Sequence, residues 1–301
     1  MMTLKDIIIR EIRVKNILTK SNLPIAGYSI NPYVGCPFSC RYCYADFMKR
    51  FTGHKEHWGM FLDVKMWTQI KNPEKYKVQT MIIGSVTDGY NYFEAKYKRT
   101  RAFLEEMKGS GINLIITTKS NLVLRDIDLI KTYPNSMVAW SINTLDENFK
   151  KEMENTPSIQ SRIDAMKKIH ESGIRTTCFI SPIFPGITNV VSIIEEIKDF
   201  CDYIWLENLN LRGGFKSNII NYINEKNSEL KDLYTQIYTQ KDMSYWQELD
   251  KSINQYAKEN GFIYVIDKEP FLRNPHDKPI IINYFYHDKI KQSSKNKGNL
   301  K

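Results

Sequence analysis

The sequence lacks any apolar run approaching the roughly 18 consecutive residues of a membrane-spanning helix. Its first residues, MMTLKDIIIREIRVK, alternate charge with short apolar runs. They show neither a continuous hydrophobic region nor a small-residue cleavage site, which argues against a secretory signal and for a cytoplasmic protein. Cysteine is scarce, five in 301 residues, and the count is odd. A disulfide framework is therefore not expected, and clustered thiols in a reducing compartment point to metal binding or catalysis. There is no Pro/Gly/Ser-rich linker and no internal repeat.

What is present is an ordinary globular composition, 42% hydrophobic and 26% charged, enough for a substantial core. The formal charge of +9 comes from 43 basic and 34 acidic residues. Five lysines and one aspartate fall in Asp288–Lys301, so the excess is concentrated in a tail expected to be solvated and disordered over 287–301. A basic body can serve a polyanion, but a plain solvated surface explains this charge equally well.

Apolar, β-branched runs recur at Tyr28–Val34, Val78–Gly84, Ile112–Thr117, Met137–Ile142, Thr176–Ser181 and Tyr203–Glu207. Helical spacing fills Tyr97–Met107, Arg125–Thr132, Ile159–Glu171 and Val190–Phe200 between them. Gly109, Gly111 and Gly173 follow helix ends, where a left-handed residue is wanted. Strands alternating with helices imply parallel βαβ units in an α/β fold, and six of them favour a barrel or partial barrel. After Glu207, Phe215–Gln240 and Met243–Gly261 read as longer polar helices and Phe262–Ile266 as a short strand. The expected organisation is a lead-in over 1–27, a barrel core over 28–210, a mostly helical C-terminal extension or cap over 211–286, and the tail.

Three of the five cysteines crowd into NPYVGCPFSCRYCYADF as Cys36-x3-Cys40-x2-Cys43. A closed zinc site wants four ligands, usually as two pairs. Here only the distant Cys178 and Cys201 remain, although His54 or His57 could complete a zinc site. Three thiolates on one short loop also suit a [4Fe–4S] cluster with one iron left open.

This CxxxCxxC spacing, with Tyr42 before the third cysteine, resembles the signature of the radical S-adenosylmethionine (SAM) enzymes. The stretches LTKSNLPIAGYSINPYVGCPFSCRYCYA, WGMFLDVK, GSVTDGYNYFE, TTKSNLVLRDIDLI, WSINTLDENFKKEMENTPSIQSRIDAMKKIHESGI and SPIFPGITN follow in order. Together they resemble the spore photoproduct lyase-like branch, whose members are often labelled DNA repair photolyases. The resemblance implies a partial (β/α)6 barrel of the TIM type, a [4Fe–4S] cluster on Cys36, Cys40 and Cys43, and SAM bound at the open iron. Functional groups of barrels gather at the C-terminal ends of strands, which places the expected SAM contacts. Thr87 and Asp88 follow strand two and face the methionine amine, or else form a turn. Lys119 and Ser120 end strand three. Ser141 and Asn143 end strand four, near the ribose. Glu154 and Arg162 follow, with the Arg162 fork matched to the methionine carboxylate unless it forms an ion pair with Asp164 or Glu154. Ser181 ends strand five near the adenine, and Tyr42 and Tyr44 flank the cluster.

The implied chemistry is reductive cleavage of SAM to a 5'-deoxyadenosyl radical that abstracts hydrogen from a substrate, with electrons from a flavodoxin or ferredoxin type reductant. The archetype of the branch repairs DNA and uses an extra cysteine as hydrogen donor. Val86-Thr87-Asp88 offers no thiol at the expected place, Cys178 reads as a core residue, and Tyr90 or Tyr92 remains as a relay. Nucleic acid is thus one substrate class, with YNYF and INYFYHDK as stretches that could stack bases or equally be core or edge strand, and a peptide or small molecule is the other.

Overall fold

The computed structural model describes residues 4–211, 213–266 and 274–285. The tail expected over 287–301 lies outside the described residues. The elements run β1 (Ile8–Val14), β2 (Leu18–Lys20), β3 (Tyr28–Ile30), β4 (Tyr33–Val34), β5 (Phe61–Trp67), β6 (Thr80–Ile83), α1 (Glu94–Tyr97), α2 (Arg99–Met107), β7 (Asn113–Thr118), α3 (Ile127–Ile130), β8 (Asn135–Ser141), α4 (Glu147–Met153), α5 (Ile159–Glu171), β9 (Arg175–Ile183), α6 (Val190–Ile197) and β10 (Tyr203–Asn208). Then come α7 (Phe215–Lys226), α8 (Lys231–Tyr238), α9 (Ser244–Glu259), β11 (Ile263–Ile266) and β12 (Ile281–Phe285).

The main sheet has the order β11-β12-β10-β9-β8-β7-β6-β3-β2. Strands β3, β6, β7, β8, β9 and β10 pair in parallel, each with the next in chain order. These are the six strands of the expected partial (β/α)6 barrel. Parallel neighbours need a crossover, and the helical segments supply most of them. Sequence period two sorts the strand side chains onto two faces. Leu114, Ile116, Val138, Trp140 and Ile180 meet the helices. Ile82, Ile115, Met137, Ala139 and Trp205 fill the inner face. Burial on both faces is why these strands read as near-continuous apolar runs.

Helix α5 begins where Ser158 accepts a hydrogen bond from Ser161 N and ends ahead of Gly173, whose φ is +83°. Strand β1 pairs with β5, which pairs with β4, in a second, three-stranded sheet. Strand β2 is the antiparallel edge of the main sheet.

The C-terminal third departs from expectation in detail. The helix expected over Phe215–Gln240 is two helices, broken at Asn227 (φ −140°, ψ 52°). After α9 come two strands rather than one. Strand β12 lies between β10 and β11 and is parallel to both. Its Tyr284 is buried and donates a hydrogen bond to Asn208 Oδ1. That stretch is therefore core strand rather than a base-stacking surface; its residues 286–289 lie outside the described ones.

Candidate functional site

The cysteine loop leaves β4 through Gly35, whose φ is +83°. A Cβ there would lie 2.3 Å from Phe61 O, so only glycine lets the chain turn this close to β5. Tight turns follow, from Ser39 N to Cys36 O (3.0 Å) and from Cys43 N to Cys40 O (3.1 Å). The loop is stitched to the segment after α4 by Arg41 N to Met153 O and Asn155 N to Phe38 O, both 2.8 Å. Glu154 sits between these two bonds.

All three cysteines are free and, as residues, half-buried. Burial pushes the Cys36 thiol up to about 12, with the Asp88 charge adding to it and the Asp88 backbone N–H opposing it. Cys40 is raised by burial and by Glu154. Cys43 is raised by burial, against hydrogen bonding from Ala45 N–H and the Trp58 side chain. Among the described residues, one trio of ligating side chains brings its ligand atoms within 4.8 Å of one another, and it lies elsewhere. The three sulfurs are not drawn together that closely. Nor does His54 complete a zinc site. It bonds Glu56 and Asp63 at 3.0 Å each, and its ring stacks on Phe61 at 3.8 Å. His57 is exposed.

Behind the loop, Glu154 is the hub of a buried polar network. Its Oε2 accepts from Tyr42 OH at 2.5 Å and pairs with Lys119 Nζ at 3.1 Å. Its Oε1 accepts from Arg162 Nη2 at 2.5 Å and Thr156 Oγ1 at 3.1 Å. The Cys40 Sγ lies 3.6 Å from Oε2. Burial opposes the charge, yet Lys119 and Arg162 outweigh it and hold the carboxyl well below its ordinary range. Lys119 Nζ also donates to Ser141 Oγ at 2.7 Å, which donates to Ser181 O at 3.0 Å. Ser181 Oγ reaches Glu207 Oε2 at 2.5 Å. The ends of β7, β8, β9 and β10 are thereby joined around one mouth.

Arg162 is deeply engaged. Its guanidinium also bonds Ser141 O at 3.0 Å and Pro157 O at 3.1 and 3.2 Å, and its side chain is 1% exposed against 14% for Lys119. Of the two readings open for Arg162, the structure places it in the ion pair with Glu154, buried rather than on a helix surface.

The other expected residues divide similarly. Thr87 donates to Gly35 O and ties β6 to the cysteine loop. The Asp88 carboxylate accepts from Tyr90 N, Lys119 N and Thr118 Oγ1 at 2.7–3.1 Å, so it fixes where β7 ends. Ser120 Oγ caps the turn at Leu122 N, and Trp140 Nε1 donates to Ser120 O at 3.2 Å. Asn143 is buried, and its Nδ2 has no partner. Tyr44 is 59% exposed and bonds Ser85 O. Tyr92 lies at the mouth, its OH on Asn155 O at 3.2 Å, whereas Tyr90 is wholly buried. Cys178 and Cys201 are both in the core.

Glu207, Thr156 and Trp58 were not expected at the site. A charged residue ending the apolar run YIWLEN was the available signal for Glu207. Trp58 is buried beside Cys43 in one apolar cluster, and its side chain bears on the Cys43 thiol. The buried amide nitrogen of Asn143 has no protein partner, and the three thiols of the loop are free. This donor set fits a cluster on the loop and a polar ligand in the mouth.

A profile of the Radical SAM superfamily matches residues 30–203. The chain is 39% identical over 206 residues to an uncharacterised protein of Methanocaldococcus jannaschii, covering 67% of this chain and 78% of that protein. It is 28% identical over 161 residues to the radical SAM Nα-GlyT isomerase of Pseudomonas phage M6, covering 52% of this chain and 33% of that one. Among solved structures, spore photoproduct lyase with bound AdoMet and dinucleoside spore photoproduct superposes with a TM-score of 0.56 at 16% identity, over 72% of this chain and 66% of that one. Streptococcus suis SuiB bound to precursor peptide SuiA gives 0.52 at 13% identity, over 89% of this chain and 50% of that one. These two likenesses are of fold. With three free thiols spaced CxxxCxxC at the mouth of a partial barrel, and a superfamily profile running from the end of its first strand to the start of its sixth, the chain belongs to the radical SAM superfamily of enzymes.

Proposed function

We propose that Cys36, Cys40 and Cys43 hold a [4Fe–4S] cluster with one open iron, and that the mouth beside it binds SAM for radical chemistry on a nucleic acid. When bound, the pair supplies a 5'-deoxyadenosyl radical that abstracts hydrogen from a substrate C–H bond. The observation that carries the cofactor reading is the charge balance at Glu154. Two cations, Lys119 and Arg162, meet one carboxylate there, beside Cys40. The surplus positive charge suits a ligand carboxylate. Lys119, the more exposed of the two, is the residue to receive it, while Arg162 and Glu154 fix its position. Asn143 Nδ2 and Ser141 Oγ are placed to meet ribose hydroxyls, and Ser181 with Glu207 the adenine side. Thr87 and Asp88 orient the loop and the end of β7. Tyr42 packs edge-on to Phe184 at 5.5 Å, which meets Phe149 at 5.1 Å, so aromatic rings wall the mouth and exclude water. The Cys40 side of the loop packs against this cluster, to which α7 contributes Phe215, Ile219 and Tyr222.

Nucleic acid is favoured by the surface that follows the third cysteine. On the turn Tyr44–Phe51, Tyr44, Phe47 and Phe51 are 59%, 45% and 69% exposed. Arg50 lies over the Phe47 and Phe51 rings at 5.4 and 4.7 Å, with Lys49 beside it. Exposed rings interleaved with cations are what a single strand stacks on. The dinucleoside spore photoproduct bound in the lyase complex agrees with this reading. Tyr92 is the residue placed to relay hydrogen in the absence of a mouth thiol beyond the three ligands. A flavodoxin or ferredoxin type protein is the proposed electron source.

The test is binding and label transfer. Anaerobic holoprotein should bind single-stranded DNA with an affinity that falls as salt rises. Phe51→Ala should weaken binding by about 1–3 kcal/mol. Deuterium should pass from perdeuterated oligonucleotide into 5'-deoxyadenosine. Deuterium arriving only from a labelled peptide would overturn the nucleic-acid reading and leave the cofactor reading intact.

A further inference from the structure

We propose that His170, Asp202 and His276 form a second metal site, structural in role, for a divalent cation of the zinc class. His170 lies in the last turn of α5, Asp202 immediately precedes β10, and His276 lies in the turn leading to β12. The trio sits at the N-terminal ends of the strands, across the sheet from the cysteine loop. In barrels that end serves stability rather than chemistry.

The ligand atoms of all three lie within 4.8 Å of one another. His276 Nδ1 is 3.5 Å from Asp202 Oδ1, and His170 Nδ1 is 3.9 Å from Asp202 Oδ2. Ordinary N–H···O bonds fall at about 2.7–3.2 Å, so neither imidazole makes a good hydrogen bond to the carboxylate. His276 Nδ1 is buried and has no hydrogen-bond partner. Bonds of about 2.0–2.1 Å in tetrahedral geometry put zinc ligands about 3.3–3.4 Å apart. The observed gaps are too long for hydrogen bonds and near those of ligands around one ion.

The carboxylate is also fixed by hydrogen bonds of its own, as metal-ligating carboxylates are. Thr176 donates to Oδ2 from its N at 2.8 Å and its Oγ1 at 3.1 Å. His276 N donates to Oδ1 at 2.7 Å. These bonds orient both oxygens without occupying every lone pair. The two imidazole ring centroids lie 3.7 Å apart, near enough for both rings to face one ion. His276 adopts a left-handed backbone, φ +66°, which a non-glycine residue keeps only when its surroundings impose it. Two imidazoles and a carboxylate are the donors of zinc and its neighbours rather than of calcium or magnesium. Water would fill the fourth position, reached past the His276 side chain, which is 37% exposed. The ion would clamp the lead-in of β12, the strand inserted between β10 and β11, to α5 and β10.

Metal analysis of the chelator-washed, cluster-loaded full chain should find about one zinc beside its iron. To remove the loop's own metal affinity, the full chain carrying Cys36→Ser, Cys40→Ser and Cys43→Ser is stripped with EDTA and titrated with cobalt(II). One equivalent should bind and give the visible absorption of a tetrahedral site. Zinc should displace the cobalt and raise the melting temperature by several degrees. His276→Ala, on a partly exposed turn, should abolish both responses while leaving the circular dichroism unchanged. His170→Asn should do the same, which guards against a folding defect in either variant. No cobalt band and no thermal shift, or binding that survives both substitutions, overturns the site.

Discussion

At the scale of single residues, Glu154 holds a buried charge between two cations. Removing one partner of a buried charge set typically costs about 3–5 kcal/mol, because the remaining charges lose their compensation. Glu154→Gln keeps the shape and leaves Lys119 and Arg162 facing each other. Chemical denaturation at neutral pH should show a loss of that order. The carboxyl is held below its ordinary 4.5, burial opposing and Lys119 and Arg162 prevailing. Its stabilisation is therefore complete above about pH 4.5 and is lost as pH falls from there toward the depressed folded value. The stability gap between native protein and variant should narrow on acidification; a gap that widens toward low pH would contradict the assignment. The cysteines could be read from sequence because all three lie within eight residues. The Glu154 network could not, since Tyr42 and Glu154 are 112 positions apart and only the fold joins them. Arg162 and Glu154 lie eight positions apart, and their ion pair is one of the two readings that the sequence leaves open; the fold decides for it by burying both side chains.

At the scale of elements, the site depends on how tightly the cysteine loop is pressed against β5. Gly35→Ala would drive a Cβ into Phe61 O and force a left-handed residue, at a cost of order 1–3 kcal/mol. Iron content after reconstitution should fall markedly while far-UV circular dichroism stays native. Full iron loading would show that the close approach does not matter. Helix α5 matches its sequence reading, Ile159–Glu171, because periodicity, the Ser158 cap and Gly173 all mark the same ends. Helices α7 and α8 were read as one because Asn227 breaks the chain without a proline or glycine to announce it. The stretch holding β12 reads from sequence as either a strand or a base-stacking surface, because five apolar and aromatic residues cannot by themselves decide between the two.

At the scale of the whole molecule, the sheet and the cysteine loop are separable. The large core cluster runs from Ile17 to Tyr284 and contains no residue of the loop, whereas the loop packs on smaller clusters. Replacing all three cysteines by serine should leave the secondary structure intact and shift the melting temperature only slightly. Trp140→Ala, within the core, should cost about 3–5 kcal/mol. Wholesale unfolding of the triple variant would mean that the cluster organises the barrel. The order of the six barrel strands was legible because helical crossovers impose parallel neighbours in sequence order. The return of the C-terminal segment to insert beside β10 was not, since no local rule states where a late strand will pair.

The most direct measurement is anaerobic. Protein reconstituted with iron and sulfide would be given SAM and dithionite, and 5'-deoxyadenosine quantified beside a Cys40→Ala control. Product from the native chain and none from the variant is the expected result. A native chain that assembles no iron–sulfur cluster, or a variant that yields as much product, would contradict the assignment of this loop.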